Sequence, residues 1–251
     1  IMPSLVGSEM CIRDRFKMLW KIIDTGENYA QTNMDIDDKL LHAMQPDDPP
    51  ILHLYRWKRE SISYGHFIKV GHFFDMVNLR KNFFELAKRP TGGGVIFHSW
   101  DYTFSLLVPS NNKYFSENTL ENYRWVNQVV LEAIQDLYED ALSIHKKQVA
   151  YKGNTKYFCM AKPTIYDIVL GKKKVAGAAQ RRRRNGLLHQ GSISISMPDF
   201  SRLEEILLPN AEILLAMQQQ SQYLYINPTT RQLQDMRFEL ENRLKKAFSN
   251  L

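Results

Sequence analysis

The stretch that decides the fold is Phe158–Ser196, with the sequence FCMAKPTIYDIVLGKKKVAGAAQRRRRNGLLHQGSISIS. It contains Cys159, then Lys174 ahead of a run of small residues, four consecutive arginines and a polar segment at His189. Its pattern predicts strands at 165–170, 173–180 and 187–196, with a glycine turn after the first. Small residues let a ligand approach backbone N–H groups, and cationic side chains neutralise an anion. The stretch therefore predicts a binding site laid across a β-sheet.

The composition is that of an ordinary globular protein, since 44% of the 251 residues are hydrophobic and 24% are charged. No apolar run approaches the roughly 18–20 residues of a membrane helix, and no segment has the organisation of a signal peptide. We therefore expect a cytoplasmic protein without a membrane partner. The two cysteines, Cys11 and Cys159, cannot form a disulfide framework.

The net charge of +6 has several interpretations. It fits a solvated surface, an anionic small ligand, an acidic protein partner or nucleic acid. Aromatic residues do not alternate with the arginines of 181–184, and no helix-turn-helix or zinc pattern is present. Nucleic acid is therefore not expected as a partner. The arginine run is interpreted as the rim of an anionic site or a partner surface, or as a solvated loop.

Residues 1–15 show neither helical nor strand periodicity, and Ser8–Arg15 looks like a translated adaptor sequence. We expect them to be a non-native or disordered tail, and we expect residues 16–251 to form one domain. The predicted strands before the central stretch are a segment around Leu19–Ile23, Ile51–Trp57, Ser61–Gly65, a short strand after three glycines and its antiparallel partner Tyr102–Val108. The predicted helices are 33–44, 75–87, 119–142, 201–218 and 229–248. This order predicts a mixed α/β domain with helices packed on a sheet.

Two motifs carry candidate functional groups besides the central stretch. KRPTGGGVIFH contains three consecutive glycines, which cost conformational entropy on folding. Their presence indicates a positive φ or a close approach of the backbone to a ligand. Arg89, Thr91 and His98 flank these glycines, which favours a binding role over a simple turn. The segment at Lys174 places an ammonium group beside small residues, where it could stabilise developing negative charge; the alternative is a lysine-rich hairpin.

His189 and Cys159 each have a structural alternative. His189, in the segment LHQGS, is either a buried strand histidine or part of the wall of the site, and we favour the wall. Cys159 either packs in the core, as free cysteines commonly do, or acts as a nucleophile whose thiolate a nearby lysine favours. The P-loop and GxGxxG patterns are absent, so nucleotide binding by those routes is not indicated.

Taken together, the motifs resemble the lipoate–protein ligases and their octanoyltransferase relatives. KRPTGGGVIFH is similar to the arginine, triple-glycine and histidine motif of that family, and GKKKVAGAAQRR with LHQGSI is similar to its lysine motif. Asn33-Met34 with Asp35 and Asp37 resembles the start of an N-terminal helix, and Trp57 with Ser61–Gly65 resembles the border of an acyl pocket. Lys88 and Ser99 depart from the family pattern, which has arginine and aspartate there.

The resemblance implies a mixed, largely antiparallel sheet flanked by helices, and attachment of lipoate or octanoate to a lysine of an apo lipoyl domain. In a ligase, ATP and Mg²⁺ would activate lipoate as lipoyl-AMP, Lys174 would contact the activated carboxyl group, and Asp167 is a candidate metal ligand. The implied residues for substrate or adenylate are Trp57, Tyr64, Gly65, Arg89, Thr91, Gly92, Gly93, Gly94, His98, Asp167, Gly177, Ala178, His189, Gly191 and Ser192. A monomer without the accessory C-terminal domain of larger ligases is expected.

Two alternatives to the ligase hypothesis remain open. Cys159 lies in a segment that resembles the cysteine loop of octanoyltransferases, in which the cysteine takes the acyl chain from acyl carrier protein without ATP. The ligase is favoured because the sequence of the lysine motif is closer to that of ligases. A non-catalytic binding module is the third hypothesis.

Overall fold

The computed structural model describes residues 20–147, 153–208 and 211–251 of the chain. The strands within these ranges are β1 (Lys21–Asn28), β2 (Ile51–Trp57), β3 (Ser61–Tyr64), β4 (Glu85–Lys88), β5 (Val95–Phe97), β6 (Asp101–Pro109), β7 (Leu142–Ile144), β8 (Ile168–Leu170), β9 (Lys173–Arg183) and β10 (Gly186–Ser194). The α-helices are α1 (Ala30–Ala43), α2 (Met76–Lys81), α3 (Thr119–Ile134), α4 (Phe200–Ile206), α5 (Ala211–Gln220) and α6 (Thr230–Ser249). The predicted tail at 1–15, with Cys11, lies outside the described residues.

The strands form two sheets. The larger one has seven strands in the order β1-β2-β6-β10-β9-β8-β7, and the smaller one has the order β4-β3-β5. In the larger sheet β1 and β2 are parallel and every other neighbouring pair is antiparallel. The prediction of a mixed, largely antiparallel sheet flanked by helices is confirmed.

Alternation along the strands separates the two faces of the larger sheet. Leu106 and Leu187 belong to a core formed with α3 and α6, whereas the next residues in each strand, Leu107 and Leu188, pack with Leu41 of α1. A second core lies around the smaller sheet and contains residues of α2, α4 and α5. The face of the larger sheet that α1 and the smaller sheet cover also carries the polar side chains described below.

Side chains at the N-terminal ends set where several helices begin. Asp75 and Asp199 each accept hydrogen bonds from the first backbone N–H groups of α2 and α4, and Asn118 does so for α3. Thr229 and Gln232 form a reciprocal capping box at the start of α6. These caps satisfy N–H groups that have no partner within the helix.

The prediction of one helix over 75–87 is wrong. Helix α2 ends at Lys81, and Phe83 has a φ of +59°, a left-handed conformation that an α-helix cannot continue through. Glu85–Lys88 instead forms β4, which pairs in parallel with β3. The apolar periodicity in this segment came from two different elements.

The predicted pairing between the strand after the glycines and Tyr102–Val108 is also wrong. Strand β5 pairs with β3 in the smaller sheet, whereas β6 lies between β2 and β10 in the larger one. The chain therefore passes from one sheet to the other at His98–Trp100, and this crossing places the glycine motif opposite the face of the larger sheet.

Three predicted boundaries need correction. The helix over 119–142 ends at Ile134, and Leu142–Ile144 forms β7. The helix over 201–218 is two helices, because Leu207 forms a bridge with Phe74 between them. The strand over 165–170 begins only at Ile168, since Tyr166 has a φ of +68°.

No helix in the described ranges is both long and apolar enough to cross a membrane.

Candidate active site

A narrow cavity lies between the larger sheet and the segments around the smaller one. Its walls include the apolar side chains of Met34, Tyr55, Trp57, Ile96 and Met160. Of the residues predicted from the sequence, the cavity is lined by Trp57, Arg89, His98, Cys159, Lys174, Gly177, Ala178, Gly191 and Ser192. Ser63, Thr103 and Gln190 line it as well. The cavity therefore joins an apolar interior to a group of cationic and nucleophilic side chains.

Lys174 reaches the cavity because of an irregularity in the sheet. The pairing of β8 with β9 shifts by one residue between Ile168 and Val169, so that Val175 has no partner opposite. A bulge of this kind re-aims the neighbouring side chain. Lys174 is 5% exposed, although the preceding Lys172 and Lys173 lie on the surface. The bulge thus turns one lysine of three inward.

Asp167 holds Lys174 in place. Its Oδ2 lies 2.8 Å from Lys174 Nζ and accepts hydrogen bonds from the backbone N–H and hydroxyl of Thr164. The Tyr123 hydroxyl lies 2.9 Å from the other carboxylate oxygen. A carboxylate accepts about four hydrogen bonds, so this donor set does not fit the metal role that was predicted for Asp167. No cluster of three or more metal-binding side chains is found in the described ranges.

Tyr123 is a site residue that sequence reasoning missed, because a tyrosine within the predicted helix over 119–142 resembles a packing residue. Its hydroxyl also contacts the backbone of Ala178, accepting from the N–H at 2.6 Å and lying 2.7 Å from the carbonyl oxygen. Burial, followed by the charge of Asp167, raises the pKa of Tyr123 well above its usual value. The phenol therefore stays protonated and ties α3 to the strand that carries the small residues.

Cys159 is half-buried and begins a short 3₁₀ turn that ends at Ala161. The preceding Phe158 forms a bridge with Val95 of β5, which follows the three glycines. A Cβ atom on Gly94 would lie 2.1 Å from the carbonyl oxygen of Tyr157. Gly94 is thus required for the close approach of the glycine segment to the cysteine turn.

Arg89 lies in the cavity wall with 5% of its surface exposed. Its guanidinium donates to Ser63 Oγ at 2.7 Å and to the carbonyl oxygens of Gly92 and Gly94 at 3.1 and 2.7 Å. Burial lowers the pKa of Arg89, and the charge of Cys159 opposes that effect. The arginine therefore braces the glycine segment and faces the cysteine.

Two of the three glycines have a structural reason, and Gly92 has none, since an added Cβ there would meet no atom within 4 Å. Gly93 has a φ of +87° and lies beside Arg89 and Cys159, while Gly94 permits the approach to Tyr157. A Cβ atom on Gly65 would lie 2.1 Å from the carbonyl oxygen of Gly93. The close approach predicted for this motif is thus made to other segments of the protein. Gly65, Thr91, Gly92, Gly93 and Gly94 were predicted as site residues but do not line the cavity.

Tyr64 and Thr91 support the site from outside the wall. The carbonyl oxygen of Tyr64 accepts a hydrogen bond from the backbone N–H of Arg89 at 2.8 Å. The Thr91 hydroxyl donates to Gln190 at 2.6 Å, and the amide of Gln190 donates to Asp37 at 2.6 Å. Asp37, whose side chain is fully buried, also binds His53 Nδ1 at 2.7 Å. The acidic residue recognised near the N-terminus is therefore the centre of a polar network beneath the glycine motif.

His189 does not lie in the wall, and that prediction is corrected. Strand alternation turns its ring to the opposite face of the sheet, where it packs against Phe104 and Tyr123 and bonds Gln180 at 2.7 Å. Burial lowers the pKa of His189 to about 3. The next residue, Gln190, points into the cavity instead.

The arginine run is mostly part of strand β9. Arg181 and Arg183 lie within 3.8 Å of Asp38, and Arg182 pairs with Glu117. Arg181 also donates to the carbonyl oxygen of Pro90, just before the glycine motif. These contacts place the run at the rim, where it ties β9 to α1 and to the glycine segment.

Comparisons with known proteins agree with this geometry. Residues 29–224 match the family model described as the lipoyl protein ligase A/B catalytic domain. Octanoyltransferase LipM of Halalkalibacterium halodurans is 29% identical over 238 residues, which cover 92% of this chain and 84% of that protein. Octanoyltransferase LipM of Bacillus subtilis is 27% identical over 207 residues, covering 80% and 74%.

Solved structures share the fold. Lipoate-protein ligase A bound with ATP superposes with a TM-score of 0.69 at 19% identity, covering 92% of this chain and 85% of that one. A bi-partite lipoate protein ligase from Thermoplasma acidophilum, solved in a study that includes its E2 lipoyl domain, gives a TM-score of 0.65 at 21% identity, covering 92% and 84%.

Proposed function

The chain belongs to the lipoyl protein ligase A/B catalytic-domain family, and from this premise we propose that it is an octanoyltransferase that carries the acyl chain on Cys159 as a thioester. The observation that carries the proposal is the position of Cys159 in the same cavity wall as Lys174, next to Arg89. The relatives that cover most of this chain are named octanoyltransferases, which favours the transferase over the ligase hypothesis.

The first half of the reaction moves the acyl group to the enzyme. The Cys159 thiolate attacks the carbonyl carbon of an octanoyl thioester on acyl carrier protein, and the bond from that carbon to the carrier sulfur breaks. The carrier thiolate takes a proton from the Lys174 ammonium group and leaves as a thiol. This step needs neither ATP nor an oxidant, because one thioester replaces another.

The second half moves the acyl group to the acceptor. The neutral amine of a lysine on an apo lipoyl domain attacks the Cys159 thioester and forms an amide. Cys159 leaves as a thiolate, and the proton released by the amine passes to Lys174. Asp167, 2.8 Å from Lys174, then pairs again with an ammonium group, so the site returns to its starting state.

The other residues of the cavity position the substrate. The apolar side chains of Tyr55, Trp57 and Met160 fit the octanoyl chain, since they remove its methylene groups from water. Lysine and arginine exceed aspartate and glutamate by six residues, which favours association with an acidic carrier protein or lipoyl domain. The T. acidophilum ligase was studied with its E2 lipoyl domain, which supports the choice of acceptor.

The ATP-dependent ligase, with ATP and Mg²⁺ as its cofactors, stays a prediction from the sequence. Asp167, the residue predicted to bind the metal, is engaged with Lys174, Thr164 and Tyr123. No step of the mechanism above passes through a nucleotide or a metal ion.

The test is a mass measurement on an apo lipoyl domain incubated with the purified protein. One reaction contains octanoyl acyl carrier protein without ATP, and the other contains free octanoate or lipoate with ATP and Mg²⁺. We expect one octanoyl group on the lipoyl domain in the first reaction only, and an acyl group on the Cys159 peptide when the acceptor is omitted. Modification in the second reaction only would identify a ligase, and modification in neither would favour a binding module.

A further inference from the structure

A continuous chain of hydrogen bonds leads from Asp101 to Arg89. Asp101 Oδ2 lies 2.8 Å from His98 Nδ1, His98 Nε2 lies 2.5 Å from Ser63 Oγ, and Ser63 Oγ accepts from Arg89 at 2.7 Å. All four side chains are buried, with at most 5% of each residue exposed. We define these residues as the Asp101–Arg89 relay.

The directions of the hydrogen bonds in the relay are set from both of its ends. A carboxylate only accepts, so His98 Nδ1 carries the proton that Asp101 accepts, and Nε2 of the neutral imidazole is an acceptor. Ser63 then donates to His98 Nε2 and accepts from Arg89, because a guanidinium group only donates. Ser192 also donates to Asp101 Oδ2, at 2.6 Å. Asp101 thus fixes the tautomer of His98, and His98 fixes the orientation of the Ser63 oxygen.

The face of Trp57 keeps His98 in this orientation. The two rings are stacked with centroids 4.2 Å apart and planes inclined by 16°. The indole nitrogen of Trp57 donates to Thr103 at 2.8 Å, which anchors the tryptophan to β6. The imidazole is therefore held by a ring on one side and by hydrogen bonds at both nitrogens.

Arg89 differs from Lys174 in how its charge is balanced. Lys174 has the Asp167 carboxylate at 2.8 Å, whereas neutral oxygens hold Arg89 and no carboxylate of the described residues pairs with it. Its Nε has no hydrogen-bond partner among the described groups. A buried cation without a counterion strongly favours a negative charge next to it, and Cys159 is the neighbouring group that can supply one.

We infer that Asp101, His98 and Ser63 are positioning residues that hold the Arg89 guanidinium against Cys159 and thereby stabilise its thiolate. The inference rests on the proposed function only in giving the thiolate a role as nucleophile. The stability of the thiolate can be measured without any acyl substrate. The other charged or titratable groups that interact with Cys159 are Lys162 and Tyr123, and Lys174, paired with Asp167, lines the same cavity. Lys174 and Asp167 balance each other and Lys162 is only partly buried, so Arg89 is the deeply buried cation beside Cys159 that lacks a carboxylate partner among the described residues.

The experiment measures the rate at which iodoacetamide alkylates Cys159 as a function of pH. The Cys159 peptide is quantified by mass spectrometry, which separates it from Cys11. The full-length parent is compared with Arg89→Gln, Ser63→Ala and His98→Leu, and with His98→Gln, which keeps an acceptor for Ser63. Ser105→Ala is the matched control, since Ser105 is a buried strand serine of the larger sheet that donates to Asp37 and lies outside the relay.

We expect Arg89→Gln to raise the pH midpoint of alkylation by about one unit, the effect of losing one adjacent charge. Ser63→Ala and His98→Leu should raise it by at least about half a unit, and His98→Gln should recover most of that difference. Ser105→Ala should keep the parental midpoint. Circular dichroism melting verifies that each variant is folded; if His98→Leu does not fold, the smaller change Ser63→Ala decides.

Parental midpoints in folded Ser63→Ala and His98→Leu would overturn the relay, and a parental midpoint in Arg89→Gln would overturn the role of the arginine. An equal shift of the midpoint in Ser105→Ala would also overturn the relay, because the loss of any buried hydroxyl would then produce the same shift. Absence of octanoyl transfer by the parent would contradict the proposed function and leave these midpoints unaffected. The two failures are therefore distinguishable.

Discussion

Lys174 Nζ lies 2.8 Å from Asp167 Oδ2 in a site where 6% of the lysine side chain and none of the aspartate side chain is exposed. A buried ion pair is held tightly, and the removal of one partner leaves the other charge without compensation. The pair therefore couples the chemistry of the cavity to the stability of the sheet. Both activity and unfolding must be measured when either residue is changed.

We predict that Lys174→Gln lowers the rate of acyl transfer at least about 10²-fold, since a preorganised charge at the reacting group is lost. It should also destabilise the protein by about 3–5 kcal/mol, because Asp167 remains buried without its partner. Initial rates and urea denaturation measure the two effects. Lys173→Gln is the control, as this lysine is exposed on the same strand. Equal rates for both variants would exclude Lys174 from the reaction.

Gly177→Ala should disturb the same ion pair without changing a charge. A Cβ atom at this position would lie 2.5 Å from Asp167 Oδ1 and 2.5 Å from Lys174 Nζ. We expect loss of at least about tenfold in the transfer rate, because a displaced catalytic group costs that much or more. Gly71→Ala, which adds a Cβ with no atom within 4 Å, should behave as the parent in the same rate assay. A fully active Gly177→Ala protein would contradict the placement of Lys174 at the reacting centre.

Cys159→Ser should abolish transfer from octanoyl acyl carrier protein, because a serine hydroxyl ionises far less readily than a thiol and is a much weaker nucleophile. No acyl group should be found on residue 159 by mass spectrometry in that variant. Cys11→Ser removes the other cysteine of the chain and should leave the transfer rate unchanged. Retention of transfer by Cys159→Ser would remove the thioester from the mechanism.

His189 should make the protein less stable in acid. Burial lowers its pKa to about 3 in the folded state, against about 6.5 in the unfolded chain, so the unfolded state binds the proton first as pH falls. The free energy of unfolding is therefore unaffected well above pH 6.5 and decreases below it, by about 2 kcal/mol at pH 5.

The measurement is urea denaturation at pH 8 and pH 5. His189→Phe, which keeps a ring between Phe104 and Tyr123, should lose most of this difference between the two pH values. His42→Gln changes an exposed histidine and should retain it. An undiminished difference in His189→Phe would assign the acid sensitivity to another buried group.

Much of the local structure was predictable from periodicity. Strand β2 runs over Ile51–Trp57 as predicted, and α6 runs over Thr230–Ser249, within one residue of the predicted 229–248. Both segments have an uninterrupted pattern, and a capping box marks the start of α6. The predictions failed where backbone dihedrals interrupt a pattern, as at Phe83 and Tyr166, since a positive φ at a non-glycine residue leaves no sequence signal.

The sequence predicted several residues of the candidate site, but it did not predict the contacts between them. Arg89, Cys159 and Lys174 were each identified from residue type and neighbours, and all three line one cavity. Tyr123 was missed, because a tyrosine in an amphipathic helix resembles an ordinary packing residue. Ser63 lies in the recognised segment Ser61–Gly65, but its hydrogen bonds were not predicted. Only their hydrogen bonds to Asp167, His98 and Arg89 distinguish them.

The sequence by itself determined the class of fold, the family and the chemical groups available, because strand and helix periods and contiguous motifs are local properties of the chain. The tertiary structure alone decided which of those groups meet. Whether His189 or Gln190 faces the cavity depends on the register of one strand, since successive side chains point to opposite faces. The crossing of the chain between two sheets brings the glycine motif and Arg89 against Cys159, and no local pattern encodes that contact.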